Sequence, residues 1–384
     1  MTDGLLSHLK VVELADDLGA YTGRILAELG AQVVKLEPPG GDPSRRRGPA
    51  PENSDASAAW LATNAGKSGV VLDLATASGR DQALALLAEA DILVQGGDDR
   101  LAALGLTYEH LAELNPGLIS MIVAPFAEHG TMWGAPANDL TLTALSGILH
   151  MVGDPDRPPL KLPGRQAYAL AGVQGATAAL MALQARAATG EGQRVVVSAC
   201  QSAVLAGYRD PIVWEWTGRI GQRTGNRLVR GKSGVRQVWR ARDGFVTWSL
   251  VDNPAMVKGM VALMQADGAA GSLAEVDWDA ILLADAPQAQ IDTWEAELEA
   301  WFETRSKDEL ARLSAERGLG LSRIDAPEAV LAEPHWASRG FWRRLHDPER
   351  GLDLPVPGPL FRSSEVEPQD PTPAPRLARP EPRS

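Results

Sequence analysis

The sequence predicts an α/β protein: a Rossmann-like large domain on a mostly parallel sheet, with a smaller α+β domain. Between Leu9 and Ala199, short β-prone apolar runs alternate with longer helical patterns. Parallel strands need such crossovers, and helices then cover both faces of the sheet. Past Gly218 the alternation gives way to a hairpin signal and a series of amphipathic helices.

In order, Leu9 to Leu14 reads as a strand, Tyr21 to Leu29 as a helix stopped by Gly30, and Gln32 to Leu36 as a second strand. Gly69 to Leu74 is a third, and Ser78-Gly-Arg-Asp-Gln opens a helix running to Ala90. Asp91 to Gln95 and Leu118 to Ala124 are further strands, and the longest helix runs from Tyr168 to Thr189, followed by the strand Arg194 to Ala199. In the small domain, Val235 to Ala241 and Phe245 to Leu250 flank Asp243-Gly244, a strong hairpin signal. Helices are expected over Pro254 to Gln265, Ile291 to Glu303 and Lys307 to Arg317. The predicted division is 1–217 for the large domain, completed by about 322–365, then 218–321 for the small domain and 366–384 for a Pro-rich tail with little to pack.

Composition narrows the function classes. A chain of 384 residues exceeds one core, and 45% hydrophobic with 22% charged residues marks a packed rather than a disordered chain. Acidic residues outnumber basic ones 49 to 37, for a net charge of -12, and no long basic run is present. Nucleic acid is therefore not an expected partner, because phosphate binding needs clustered cations. The single cysteine, Cys200, forms no internal disulfide and is expected as a buried thiol at a strand end. His129 and His150 lack metal-ligand spacing, so no metal or resident cofactor is expected. No signal-peptide pattern opens the sequence and no stretch reaches the ~20 apolar residues of a membrane span, which together suggest a cytoplasmic protein without a membrane partner.

Several segments, in order, carry a family resemblance. They are Leu9-Lys-Val-Val-Glu-Leu14, Leu29-Gly-Ala-Gln-Val-Val-Lys35 running on to Pro43, and Asn64-Ala-Gly-Lys67 running on to Leu74. Asn138-Asp139, Thr189-Gly-Glu-Gly-Gln193, Asp243-Gly-Phe-Val246 and Glu333-Pro-His-Trp336 continue the series. The chain resembles the family III, or CaiB/BaiF, CoA-transferases. That resemblance implies an interlocked dimer and an acyl-CoA substrate. It also implies an aspartate nucleophile, which captures the acyl group as a mixed anhydride and must be ionised to attack.

The nucleophile is where the sequence departs from the family. Counting back from Thr189, the family's Asp-Xaa-Xaa-Ala-Gly pattern falls on Tyr168-Ala-Leu-Ala-Gly172, and no carboxylate lies between Arg165 and Leu170. Asp154 and Asp156 sit in a turn and are poor substitutes. In the related racemases a histidine aligns with Asn138 and a second base with Tyr168, so both proton carriers are missing. The loops expected to meet CoA, Asp16-Asp-Leu-Gly-Ala-Tyr21 and Gln95-Gly-Gly-Asp-Asp-Arg100, also differ, and two aspartates there would repel a polyphosphate. Lys35, Lys67 and Arg100 are candidate CoA contacts, with Asn138, Asp139 and Gln166 beside Tyr168; Arg45-Arg46-Arg47 reads as solvated loop charge.

Heteromeric members of the family pair an aspartate-bearing subunit with one that lacks it, and Gln166-Ala-Tyr168 is similar to the second kind. The resemblance thus favours a non-catalytic subunit with a homologous partner. A standalone acyl-CoA-binding transferase, hydrolase or lyase with an altered mechanism, and a non-enzymatic homodimer, are the alternatives.

Overall fold

The computed structural model describes residues 4–52, 54–97, 99–366 and 370–377. Two compact units are present: one takes in the chain up to His150, Lys161–Ile220 and everything from Pro334, the other Met151–Leu160 and Gly221–Glu333. Against the sequence reading of 218–321, the second unit runs on to Glu333 and recruits the distant loop Met151–Leu160.

The first unit alternates as expected: β1 (Lys10–Leu14), α1 (Ala20–Glu28), β2 (Gln32–Glu37), α2 (Ala58–Asn64), β3 (Ser68–Val71), α3 (Ala77–Ala88), β4 (Ile92–Gly96), α4 (Tyr108–Leu114) and β5 (Ile119–Ala124). There follow α5 (Asp139–Leu145), the short α6 (Ile148–Met151), α7 (Gln166–Thr189), β6 (Arg194–Ser198), α8 (Ala199–Val204) and α9 (Asp210–Thr217). The sheet is parallel throughout, in the order β3-β2-β1-β4-β5-β6. Alternate residues of its strands supply two cores: Val11, Val33, Ile92, Val94 and Met121 face one side with α1 and α7, whereas Val12, Leu36 and Leu93 face the other with Leu87 and Leu111. Burial on both faces is why these strands read as unbroken apolar runs.

Three local expectations change. The α3 cap is Thr76, whose hydroxyl accepts from the Gly79 amide, so the helix starts before Ser78. Cys200 belongs to α8 rather than a strand end, because Ser198 caps that helix through the Gln201 amide; the thiol is half-buried and burial pushes it up. The tail packs where it is described: Ala374 is buried with Ala56 and Trp60, and the Pro375 carbonyl accepts from Arg45 and Arg350. Residues 367–369 and 378–384 of that tail lie outside the described residues.

The second unit holds β7 (Arg227–Arg230), β8 (Ser233–Arg236), β9 (Val238–Ala241), β10 (Gly244–Thr247), α10 (Pro254–Ala266), α11 (Gln288–Phe302), α12 (Lys307–Arg317) and β11 (Ser322–Ile324). β9 and β10 form the predicted hairpin, with β11 along its far edge. Its core is aromatic: Trp239, Trp248, Trp278, Trp294, Trp301 and Phe302 pack together, and the Trp239 and Trp248 indoles donate to the carbonyls of Trp248 and Leu319. A buried indole N–H needs such an acceptor. The first unit closes with β12 (Trp342–Asp347) and β13 (Leu352–Pro357), an antiparallel pair. Among the described residues no helix is long and apolar enough to cross a membrane, and no cluster of His, Cys, Asp or Glu could hold a metal ion.

Candidate active site

In this strand order the chain reverses direction of travel between β1 and β4, the topological switch point at which open α/β sheets hold ligands beyond the carboxyl ends of their strands. Two loops meet there. Gly19 has φ 96° and starts α1, and a Cβ on Gly96 would lie 1.9 Å from the Leu18 carbonyl oxygen. The β1 loop and the end of β4 therefore touch backbone to backbone, which only glycine at 96 permits.

Beneath the first loop lies a buried ionic hub. Glu13 is fully buried and accepts from Lys35 Nζ at 3.1 Å and from Lys67 Nζ at 2.7 and 3.0 Å. Lys35 also meets Asp42 at 3.1 Å and donates to the Ala15 carbonyl, whereas Lys67 donates to the Ala20 backbone carbonyl at 2.7 Å and to Asn64 Oδ1 at 2.9 Å. The two ammonium groups thus pin the chain at the loop's first residue, Ala15, and at Ala20, where α1 begins. Burial pulls Lys35 down, but Glu13 and Asp42 outweigh it and hold it above its ordinary value. For Lys67, burial wins with help from Lys35 and Arg24, and its pKa falls to about 8. Expected as contacts to a bound nucleotide, both lysines instead have their donors engaged inside the protein.

Along the loop, Asp16 and Asp17 are not bare charges. Arg100 meets Asp16 at 2.8 Å, and Asp17 is held by Arg47 at 2.5 Å and by Arg165. The arginine run divides three ways. Arg45 is buried, forking onto Glu37 at 2.6 Å and lying 3.7 Å over the Trp60 ring; Arg46 is exposed; Arg47 turns to Asp17. The reading of that run as solvated charge therefore fails for Arg45, whereas Arg46 and Arg47 are exposed, Arg47 while paired with Asp17.

The remaining candidates gather at the amino end of α7. Asn138 caps α5 through a reciprocal box with Thr141, its side chain accepting from the Thr141 amide at 3.0 Å. This places Asp139 in the first turn of α5, where its carboxylate reaches across to accept from the Tyr168 amide at 3.3 Å and faces Lys161 at 3.4 Å. Asp139 so satisfies an amide that α7 leaves unpaired at its start. Gln166 turns back onto the Pro163 carbonyl at 2.7 Å. Tyr168 is half-buried against the α7 side of the core, and burial, then the carboxylates of Asp16, Asp17 and Asp139, raise its pKa against the weaker pull of Arg165. The phenol is held protonated, the wrong state for attack on a thioester.

Asp16, Asp17, Arg100, Asp139, Gln166 and Tyr168 thus share one site. Lys35 and Lys67 lie under it, while His129 and His150 are exposed; Asp154, half-buried, belongs to the second unit. Sequence reasoning missed Glu13, Lys161 and Arg165 and read Arg47 only as loop charge; nothing in their spacing announced that they would meet.

The CoA-transferase family III model matches residues 6–379. A subunit, BbsE, of succinyl-CoA:(R)-benzylsuccinate CoA-transferase from Thauera aromatica is 31% identical over 97% of this chain and 91% of its own. Succinyl-CoA--D-citramalate CoA-transferase from Chloroflexus aurantiacus is 30% identical over 90% of this chain and 85% of its own. A crystal structure of a CaiB/BaiF family protein from Brucella suis superposes with TM-score 0.83 at 28% identity, covering 98% of this chain and 97% of that one.

Proposed function

Since the chain belongs to CoA-transferase family III, we propose that it is the aspartate-lacking subunit of a heteromeric acyl-CoA:carboxylate CoA-transferase, paired with a homologous chain that supplies the nucleophile. The observation that carries this reading is Tyr168, a phenol kept neutral by burial and by three carboxylates in the slot the resemblance gives to an ionised aspartate. A group that must be charged to attack is replaced by one whose surroundings oppose charge. The relative from Thauera aromatica is itself named as one subunit of a transferase, which supports the same reading.

A standalone acyl-CoA-binding protein is the second reading, favoured by the cations Arg47, Arg100, Lys161 and Arg165 around the switch point.

The test is expression of the chain alone and together with an aspartate-bearing homologue, with transfer assayed from succinyl-CoA to a panel of carboxylic acids. The expected result is transfer by the pair only, and no acyl or CoA adduct on this chain by mass spectrometry. Tyr168→Phe in the pair should change the rate by less than about threefold, since no nucleophile is lost. Transfer by the chain alone, abolished by Tyr168→Phe, would overturn the proposal.

A further inference from the structure

Asp17 receives two guanidinium groups from separate parts of the chain, Arg47 from the loop beyond β2 and Arg165 from the residue preceding α7. We propose that Arg47 and Arg165 form an oxyanion-binding site, for a carboxylate or a phosphate group, which Asp17 of the same chain occupies as a stand-in ligand.

Donor capacity is the first argument. A guanidinium carries five N–H donors in a rigid fork suited to oxyanions. Among the described residues, Asp17 is the carboxylate that Arg47 and Arg165 contact directly, with Asp16 and Asp42 acting on Arg47 only at longer range, so most of that donor capacity is unspent. Arg45, two residues away, shows the contrast: its guanidinium is buried and engaged by Glu37, Asp55 and the Pro375 carbonyl, as a structural arginine should be.

Access is the second. The Asp17 side chain is only 10% exposed, whereas those of Arg47 and Arg165 are 54% and 38% exposed. A solute anion can therefore reach both guanidinium groups from the solvent side without first removing the aspartate. The guanidinium ends of both pairs face solvent, where charge interactions are weakened, so such an anion competes on favourable terms.

Position is the third. Arg47 and Arg165 converge on Asp17 beside Tyr168, at the switch point where ligands of open α/β sheets bind. The place of the two guanidinium groups, rather than a net local charge, is what favours a ligand there.

The inference concerns what the chain binds, and is independent of the subunit reading. Calorimetric titration of the full chain with succinate, with inorganic pyrophosphate and with CoA, at low ionic strength, tests it. Asp17→Asn should bind at least one of these about three- to tenfold more tightly than the unmodified chain. Adding Arg165→Gln should abolish the gain. A gain for succinate alone assigns the site to a carboxylate, and a gain for pyrophosphate and CoA assigns it to phosphate. Asp17→Ser serves the same comparison should the amide variant fold poorly, with cooperative unfolding as the criterion. A well-folded variant that binds all three no more tightly, or a gain that survives Arg165→Gln, would overturn the proposal.

Discussion

At position 168 the surroundings act on whatever acid is placed there, so the field can be tested by exchanging the side chain. Burial, Asp16, Asp17 and Asp139 raise the phenol, and the same four influences would raise a carboxyl introduced by Tyr168→Asp. Its folded-state pKa would then exceed the unfolded value of about 4. Over the interval between the two, the folded state binds more protons, so stability falls as pH rises. The ionised, nucleophilic fraction grows over the same interval. Hydroxylamine trapping of an acyl adduct on Tyr168→Asp should therefore increase with pH across that range, and a pH-independent yield would show that the acidic field is not felt. Beneath the loop, the Glu13 hub offers a second residue-scale prediction. Lys67 titrates near 8 when folded and at 10.5 by its ordinary value, so between these the unfolded chain binds more protons and this residue makes stability rise with pH. Lys67→Met should remove that rise. At neutral pH it should cost about 1–3 kcal/mol, because the Ala20 and Asn64 oxygens lose a donor while Lys35 still neutralises Glu13. Glu13→Gln leaves buried Lys67 without a carboxylate and Lys35 with Asp42 alone, and should cost more, about 3–5 kcal/mol in denaturant unfolding. The reverse order of costs would remove Glu13 from the centre of the hub.

Among the elements, α1 and α7 set the distance between the β1 loop and Tyr168. A Cβ on Gly172 would stand 2.7 Å from the Tyr21 Cβ, and one on Gly175 would stand 2.3 Å from the Thr22 hydroxyl oxygen. Tyr21 cannot yield at its own Cβ, so Gly172→Ala must push the helices apart. Alanine's higher helix propensity would favour the variant by about 1 kcal/mol, whereas overpacking costs about 1–3 kcal/mol. Net destabilisation is expected, together with altered near-ultraviolet dichroism as Tyr21 shifts; a more stable variant would mean that the helices are not in close contact. The periodicity of such elements was legible before the structure. β1, β2, β4, β5 and α7 announce themselves as apolar runs and an Ala-rich helix closed by Gly190. What stayed illegible was long-range electrostatics. The tail reads as Pro-rich linker, yet Arg350 donates to the Ala374 and Pro375 carbonyls while holding Asp55 and Asp347, and Pro375 fits against β3 because residue 69 is a glycine. Lys67 and Glu13 are 54 residues apart, and a local window that registers a lysine as solvent-facing has no means of finding its partner.

For the whole molecule, the decisive quantity is apolar surface left uncovered. Large exposed patches on soluble chains mark interaction surfaces. α7 presents small buried residues to α1, yet Val173 and Met181 point outward, and beyond it Tyr208, Ile212, Trp214 and Ile220 are exposed, with Trp216 exposed at 85%. A helix that is apolar all round is ordinarily covered by protein, and α7 has charge only near its end, at Arg186. Association with a second chain of this fold is the cover that the proposed function calls for, and aromatic residues are the side chains that most often anchor such contacts. Trp216 makes this testable, because its exposure means that Trp216→Glu removes no internal packing. The single chain should keep its unfolding midpoint within about 0.5 kcal/mol. Its association with an aspartate-bearing homologue, followed by light scattering on a sizing column, should weaken by tenfold or more, given roughly 1.4 kcal/mol or more for a buried aromatic anchor. If the variant lost stability alone, the indole would be serving its own chain, and if the pair formed undiminished, the partner surface would lie away from α9.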